Sequence, residues 1–355
     1  MDATQNTNAI SDPIDLAALT RWIERQYATT QVVLRPLALG EKLIFQVQHA
    51  GGVDWVARLY QRTPWPGNGA LIVRLSAVLH FLEWHQYPAE RIIVTADGAT
   101  SIRYTDWLVL MTTYMGRPLR AWQPAVVSAT SAGEREHTAT PAIFFAIGAA
   151  LGRLHSLPPV GVRDPYPAGM LPQRELTWAA TQLAEVADRV PPTRQALYDE
   201  WVTAVQNVQG WDDLPQSLIH NDPNLGNVVR TEAGEIALVD WDFAGIGPTV
   251  LDVGILLRNC YSRTDGTIDE AAVRAVVDGY RQHRQLTPAE LDRLPDAVRF
   301  MTLVLLAVSF PDLVDGTLGE QDLLYGATYT TWQAHYAASD QIAALARRQF
   351  EGEAQ

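Results

Sequence analysis

The stretch His220-Asn221-Asp222-Pro223-Asn224-Leu225-Gly226-Asn227, followed by Ile236-Ala237-Leu238-Val239-Asp240-Trp241-Asp242, constrains this chain more than any other feature. Two groups of polar side chains are separated by a hairpin's length of chain, with Gly234 placed for the turn. Ile236 to Val239 reads as a buried strand that delivers Asp240 into a cleft at its end. These residue types suit phosphoryl transfer. A hydroxyl attacking a γ-phosphate needs a carboxylate to orient it and take its proton, and Mg2+, which takes oxygen ligands, to gather the phosphate charge. Asp222 is placed as the catalytic carboxylate, Asn227 as a neutral oxygen ligand of the metal and Asp240 as the charged ligand. An ordinary Asp-Pro-Asn turn would use some of the same letters. His220 reads as a hydrogen-bonded brace of the loop and not as a proton carrier.

These residues resemble the aminoglycoside phosphotransferase and choline kinase superfamily, small-molecule relatives of the protein kinases. Its catalytic loop reads His-Gly-Asp-x-x-x-x-Asn, followed by Ile-Asp-Phe/Trp-Asp. Here only the Gly is changed, to Asn221. The likeness extends through Gly245-Ile246-Gly247-Pro248 to Asp252, where the family has a Gly-Pro turn and a helix-opening Asp, and to Leu151-Gly152-Arg153-Leu154-His155-Ser156-Leu157. The resemblance implies an α+β, bilobal, protein-kinase-like fold. Its parts would be a tail over residues 1–12, a β-rich nucleotide-binding N-terminal lobe over 13–115, and a larger, mainly helical lobe for catalysis and acceptor binding over 116–355. It also implies ATP and Mg2+ as cofactors.

The N-terminal region fits that outline. Pro13 to Ala28 has helical spacing, and strands are expected over Val32–Leu39, Leu43–His49 and Asp54–Tyr60. Gly40 lets the backbone approach a phosphate, and the Gly40-Glu41-Lys42 turn resembles the family's sparse phosphate loop. Arg58 sits mid-strand among apolar neighbours, where a lone charge is costly. By resemblance it clamps the nucleotide phosphates; as plain sequence it also suits an edge-strand surface charge. The family pairs that cation with a Glu on the next helix, yet the helix Leu71–Gln86 places Leu75 there, so either another acid such as Glu83 or Glu90 serves or Arg58 is held by the phosphates and water alone. Trp107 to Met111 is a buried strand resembling the family's hinge. Met111 would then line the adenine pocket, and the backbones of Thr113 and Tyr114 would offer it an acceptor and a donor.

Beyond an exposed Ser/Thr/Ala-rich loop at Ser128–Thr140, helices are expected at Ala142–His155, Arg174–Arg189, Thr193–Gln209, Leu251–Asn259, Asp269–Gln282, Pro288–Ser309 and Leu323–Arg348. Aromatic residues from Tyr261 to Tyr336 suit either the core or the wall of an acceptor pocket. Asp240 is followed too soon by Gly245-Ile246-Gly247-Pro248 for a peptide platform, which disfavours a protein substrate. A formal charge of −13 disfavours nucleic acid. It favours a cationic small-molecule hydroxyl acceptor, although acidity also serves solubility alone. No apolar run is read as a membrane span, Met1–Asp12 lacks a secretory pattern, and Cys260 stands alone, so a cytoplasmic protein is expected. The competing function is a nucleotide-binding pseudo-kinase with a regulatory role, suggested by Leu75.

Overall fold

The computed structural model describes residues 14–39, 42–61, 68–119, 140–158, 172–208, 211–261, 267–317, 323–324 and 327–352. Gly40, the tail and nearly all of the Ser128–Thr140 loop lie outside them. The chain divides into two compact units, Met1–Ile72 with Arg91–Tyr114, and Val73–Glu90 with Met115–Gln355.

The first unit contains α1 (Leu16–Gln26), β1 (Val33–Leu39), β2 (Lys42–Gln48) and β3 (Trp55–Gln61). It also holds the start of α2 (Asn68–Trp84), then β4 (Ser101–Tyr104) and β5 (Trp107–Thr113). The strands form one antiparallel sheet in the order β1-β2-β3-β5-β4. Asp15 caps α1 by accepting from the Ala18 N–H. Leu19 and Ile23 of that helix pack with Phe45, Val47, Ala57, Leu59, Val109 and Met111, so one sheet face is a dry core. Because side chains alternate along a strand, Arg58 and its cross-strand neighbours Ile44 and Leu110 occupy the opposite face.

In the second unit, α2 continues from Val73 and is followed by β6 (Arg117–Pro118), α3 (Pro141–His155), α4 (Pro172–Val186) and α5 (Gln195–Asn207). Next come β7 (Gln216–Ile219), β8 (Val228–Arg230), β9 (Ile236–Leu238), β10 (Gly245–Pro248) and α6 (Thr249–Arg258). The chain ends with α7 (Glu270–Arg281), α8 (Pro288–Val314), β11 (Leu323–Leu324), β12 (Ala327–Thr328) and α9 (Tyr329–Glu351). Two sequence expectations change here. Gly245–Pro248, read as a turn, is a strand paired with β7, and the helix expected from Leu323 begins only at Tyr329, after the short β11–β12 pair.

The longest helix also bears on the membrane reading. Helix α8 is long and apolar enough to cross a membrane by length and composition alone, although the sequence was read as holding no run of that length. Most of its apolar window is nevertheless buried inside the second unit, where it packs on α4, α6 and α9. It starts with a capping box between Thr287 and Glu290. Pro295 and Pro311 lie within it. Those features fit a core helix of this unit.

Helices α3 and α7 meet along glycines. A Cβ on Gly148 would lie 2.2 Å from the Val276 carbonyl oxygen, one on Gly152 2.5 Å from that of Tyr280, and one on Gly279 2.0 Å from that of Phe145. The two backbones are in direct contact along this seam.

Candidate active site

Strand β7 ends in the buried apolar pair Leu218-Ile219, and the chain then leaves the sheet at His220. Asn221 has φ +62, a left-handed conformation that Gly adopts freely and that Asn tolerates best among the others. This accounts for Asn where the resembled motif has Gly. The His220 and Asn221 N–H groups both donate to the fully buried Asp252 carboxylate on α6, at 2.7 Å each. His220 Nε2 bonds the Val239 carbonyl at 3.0 Å, and Nδ1 accepts from the Asp222 N–H at 3.3 Å. Both ring nitrogens are thus committed to backbone, and burial lowers the His220 pKa. The histidine braces the loop, as the sequence indicated.

The partly buried Asp222 carboxylate is gripped by two amides. Asn224 Nδ2 donates to Oδ1 at 2.6 Å, and Asn227 Nδ2 donates to Oδ2 at 2.8 Å and to the Asp222 carbonyl at 3.0 Å. Asn224 is itself fixed, because its Oδ1 accepts from the Gly226 N–H at 2.8 Å. With its nitrogen on Asp222, Asn227 has Oδ1 left to offer a cation. The β8–β9 hairpin turns at Gly234 (φ +83) and pairs Val228 with Leu238, and its ladder continues with the Val239 N–H donating to the Asn227 carbonyl at 2.9 Å. Asn227 is therefore brought beside the residue that precedes Asp240. Asp240 adopts φ +67 and ψ 62, so it lies in a left-handed turn just past the strand and not in the strand itself. Arg74, on α2, donates to the Asp242 carbonyl and ties down the same turn.

Burial pushes the Asp222 carboxyl up to about 6; the Asn224 amide opposes the shift, the Asp240 charge adds to it, and the Arg258 charge and Asn227 amide oppose it. A carboxyl whose pKa is raised on folding holds a proton that the unfolded chain has already released between about pH 4 and pH 6. Its contribution to stability therefore falls as pH rises through that window. Between pH 4 and pH 7 the nucleotide-free parent should lose on the order of 2–3 kcal/mol of urea stability relative to Asp222→Asn. A difference independent of pH would remove burial as the dominant influence on this group.

Asp252 is also part of a second network. His155 at the end of α3 bonds it through Nε2 at 3.1 Å, and His155 Nδ1 faces the Tyr280 hydroxyl at 2.9 Å. That hydroxyl accepts from Arg284 at 2.9 Å, and Arg284 pairs with the buried Glu290 at 3.0 Å. Donors then follow in one direction, Arg284 to Tyr280 to His155 to Asp252, with one ring proton on Nε2 satisfying the whole chain.

The other expected site residues belong to the first unit. Arg58 is buried on the central strand β3, not on an edge, and donates through Nη1 to Thr112 Oγ1 at 2.8 Å. Met111 requires a correction. Its side chain is wholly buried in the α1-side core, on the face opposite Arg58, so Leu110 and Thr112 are the β5 residues that share Arg58's face. The donor expected from Tyr114 is also engaged, since its N–H bonds the Asp54 carbonyl at 2.9 Å, and the Thr113 N–H bonds that of Arg91 at 2.8 Å. Leu75 is buried, Glu83 is exposed beside His80, and Glu90 is buried. Sequence reasoning gave no role to Asn224, Arg74 or Arg258, and named Asp252 only as a helix-opening residue.

Residues 33–286, well over half of the chain, match the family model described as the APH phosphotransferase enzyme family. The chain belongs to the phosphotransferase enzyme family. Homoserine kinase of Pseudomonas aeruginosa is 28% identical over 181 residues, covering 50% of this chain and 55% of that protein, so the match spans about half the relative's length. Homoserine kinase of Gluconacetobacter diazotrophicus is 27% identical over 254 residues, covering 71% of this chain and 72% of its own. Among solved structures, the amicoumacin kinase hAmiN in complex with AMP-PNP, Ca2+ and Ami superimposes with a TM-score of 0.61 at 18% identity, over 96% of this chain and 94% of that one. At that identity the likeness bears on fold, and it bears out the bilobal α+β phosphotransferase fold read from the sequence.

Proposed function

We propose that this chain transfers the γ-phosphate of ATP to a hydroxyl of a small molecule, of the aminoglycoside, amino alcohol or sugar kind, in the cytoplasm and with Mg2+. The observation that carries the reading is the Asp222 carboxylate, held by two amides, one of which belongs to a residue set beside the Asp240 turn. A group with a pKa of about 6 is suited to accept a proton near neutrality. The acceptor oxygen bonds to the γ-phosphorus, the bond from that phosphorus to the β–γ bridging oxygen breaks, ADP departs, and the hydroxyl proton passes to Asp222.

Asn227 Oδ1 and the Asp240 carboxylate are hard oxygen donors suited to Mg2+. Among the described residues no group of three His, Cys, Asp or Glu gathers to hold a metal alone, and nucleotide-site Mg2+ characteristically takes few protein ligands and completes its shell with phosphate and water. When bound it would neutralise charge developing on the phosphates. Arg58, with a fixed charge and a direction set by Thr112, suits the nucleotide phosphates. Relatives named for homoserine and amicoumacin support a small acceptor.

Asp240→Ala should abolish both transfer and the thermal stabilisation that Mg·ATP gives over ATP alone. Stabilisation equal to the parent's would place the metal elsewhere. A regulatory pseudo-kinase would instead bind nucleotide and transfer nothing to any acceptor, so phosphate transfer across an acceptor panel separates the two readings.

A further inference from the structure

Tyr280 lies wholly buried on α7, and its hydroxyl stands between Arg284 and His155. Arg284 is itself fixed. Its Nη2 pairs with the fully buried Glu290, its Nη1 donates to Thr249 in the first turn of α6, and the Thr249 hydroxyl donates to Glu290. Glu290 also closes the capping box at the start of α8, where it accepts from the Thr287 N–H at 2.9 Å. A guanidinium has no lone pair to offer, so the Tyr280 hydroxyl accepts from Arg284 and has its single proton left for His155 Nδ1. Nδ1 is thereby the accepting nitrogen, and the ring proton sits on Nε2, which faces Asp252 Oδ2 at 3.1 Å. The opposite tautomer would set lone pair against lone pair between two side chains with no exposed surface. Asp252 Oδ2 also accepts the His220 N–H, and Oδ1 accepts the Asn221 N–H. A ring nitrogen that repelled Oδ2 would turn the carboxylate away from the two amides that immediately precede Asp222. Every link from Arg284 to that backbone is a hydrogen bond of 3.1 Å or less.

We propose that Tyr280 is a positioning residue for the transfer reaction: with Arg284 filling its accepting side, its hydroxyl fixes the tautomer of His155, and through His155 and Asp252 it holds the backbone that presents Asp222. The inference rests on the phosphotransferase reading and deepens it. Arg284 and Glu290 anchor the hydroxyl to the starts of α6 and α8, so the choice of tautomer is made by residues that touch neither nucleotide nor acceptor in that reading.

The full-length protein, isotope-labelled at its histidine ring nitrogens, reports the tautomer by NMR, with His155→Gln assigning the resonance. The parent should carry one ring proton, on Nε2; a proton on Nδ1, or on both nitrogens, would overturn the proposal whether or not any variant folds. Tyr280→Phe keeps the ring contacts with His155 and Phe350 and removes only the hydroxyl. It should lower kcat by about tenfold or more, the scale of a small misplacement at the reacting centre, while KM and the affinity for Mg·AMP-PNP stay within about twofold. Deuterium exchange should quicken over Leu218 to Asn227 in the same variant. A hydroxyl that served packing alone would lower the unfolding free energy and leave both kcat of the folded protein and loop exchange unchanged, a result that would overturn the proposal. In His155→Gln the side-chain amide can donate to Asp252 with no tautomer to choose, so adding Tyr280→Phe there should cost less than about twofold further in kcat. An equal loss in both backgrounds would show that the hydroxyl does not act through His155. Absence of transfer from Mg·ATP by the parent to L-homoserine, 1-aminopropan-2-ol and an aminoglycoside would count against the phosphotransferase reading instead, and the tautomer and loop exchange would still decide whether Tyr280 holds the loop.

Discussion

Replacing Asp222 with Asn is expected to lower kcat by about 10²–10⁴-fold while the affinity for Mg·ATP changes little. The substitution keeps size and leaves one oxygen to accept an amide bond from Asn224 or Asn227, so the loop retains most of its shape. It removes the carboxylate proposed to take the hydroxyl proton. Stopped-flow or steady-state phosphate transfer with the best acceptor, together with nucleotide titration, separates these quantities. Turnover equal to the parent's would show that the proton leaves by another route, and a large loss of nucleotide affinity would show that Asp222 serves the nucleotide instead.

Asp252→Ala is expected to cost about 3–5 kcal/mol of the second unit's stability, the scale for removing one partner from a buried charged network. The carboxylate is wholly inaccessible and is bonded to the His220 N–H, the Asn221 N–H and His155 Nε2. Alanine would leave all of these donors buried and unmet. Asp252→Asn should cost less, because one side-chain oxygen still accepts. His155→Ala should cost less again, because both backbone donors keep their acceptor. Urea unfolding followed by tryptophan fluorescence ranks the three variants; a loss below about 1 kcal/mol for Asp252→Ala would mean that water replaces the carboxylate freely.

The layout of the loop was legible because its polar residues stand at distinctive spacing around a glycine-turned hairpin. Asp222, Asn227 and Asp240 could be read in order, and the strand and turn between them follow from Val228-Val229, Gly234 and Ile236–Leu238. What sequence could not supply was orientation. Met111 and Leu110 are adjacent and both apolar, and only the register of β5 against β3 decides which of them shares a face with Arg58. The Tyr114 N–H is a donor in any chain; its capture by Asp54 depends on how β3 begins. The sequence reading ends helix α8 at Ser309, yet the helix continues to Val314 through Pro311. Arg258 and Arg74 are single cations with no local pattern. Their partners Thr302 and Asp242 lie far along the chain, where no periodicity reaches.

The glycine seam between α3 and α7 makes the distance between those helices a gauge for the catalytic loop. His155 closes α3 and Tyr280 lies on α7, so the 2.9 Å span between them is set by how closely the two backbones lie. A methyl group at Gly152, whose Cβ would stand 2.5 Å from the Tyr280 carbonyl, cannot be absorbed by a rotamer, because what it meets is main chain. It would widen the spacing and lift His155 away from Tyr280. The setting of the loop that carries Asp222 is thus calibrated by side chains that are missing.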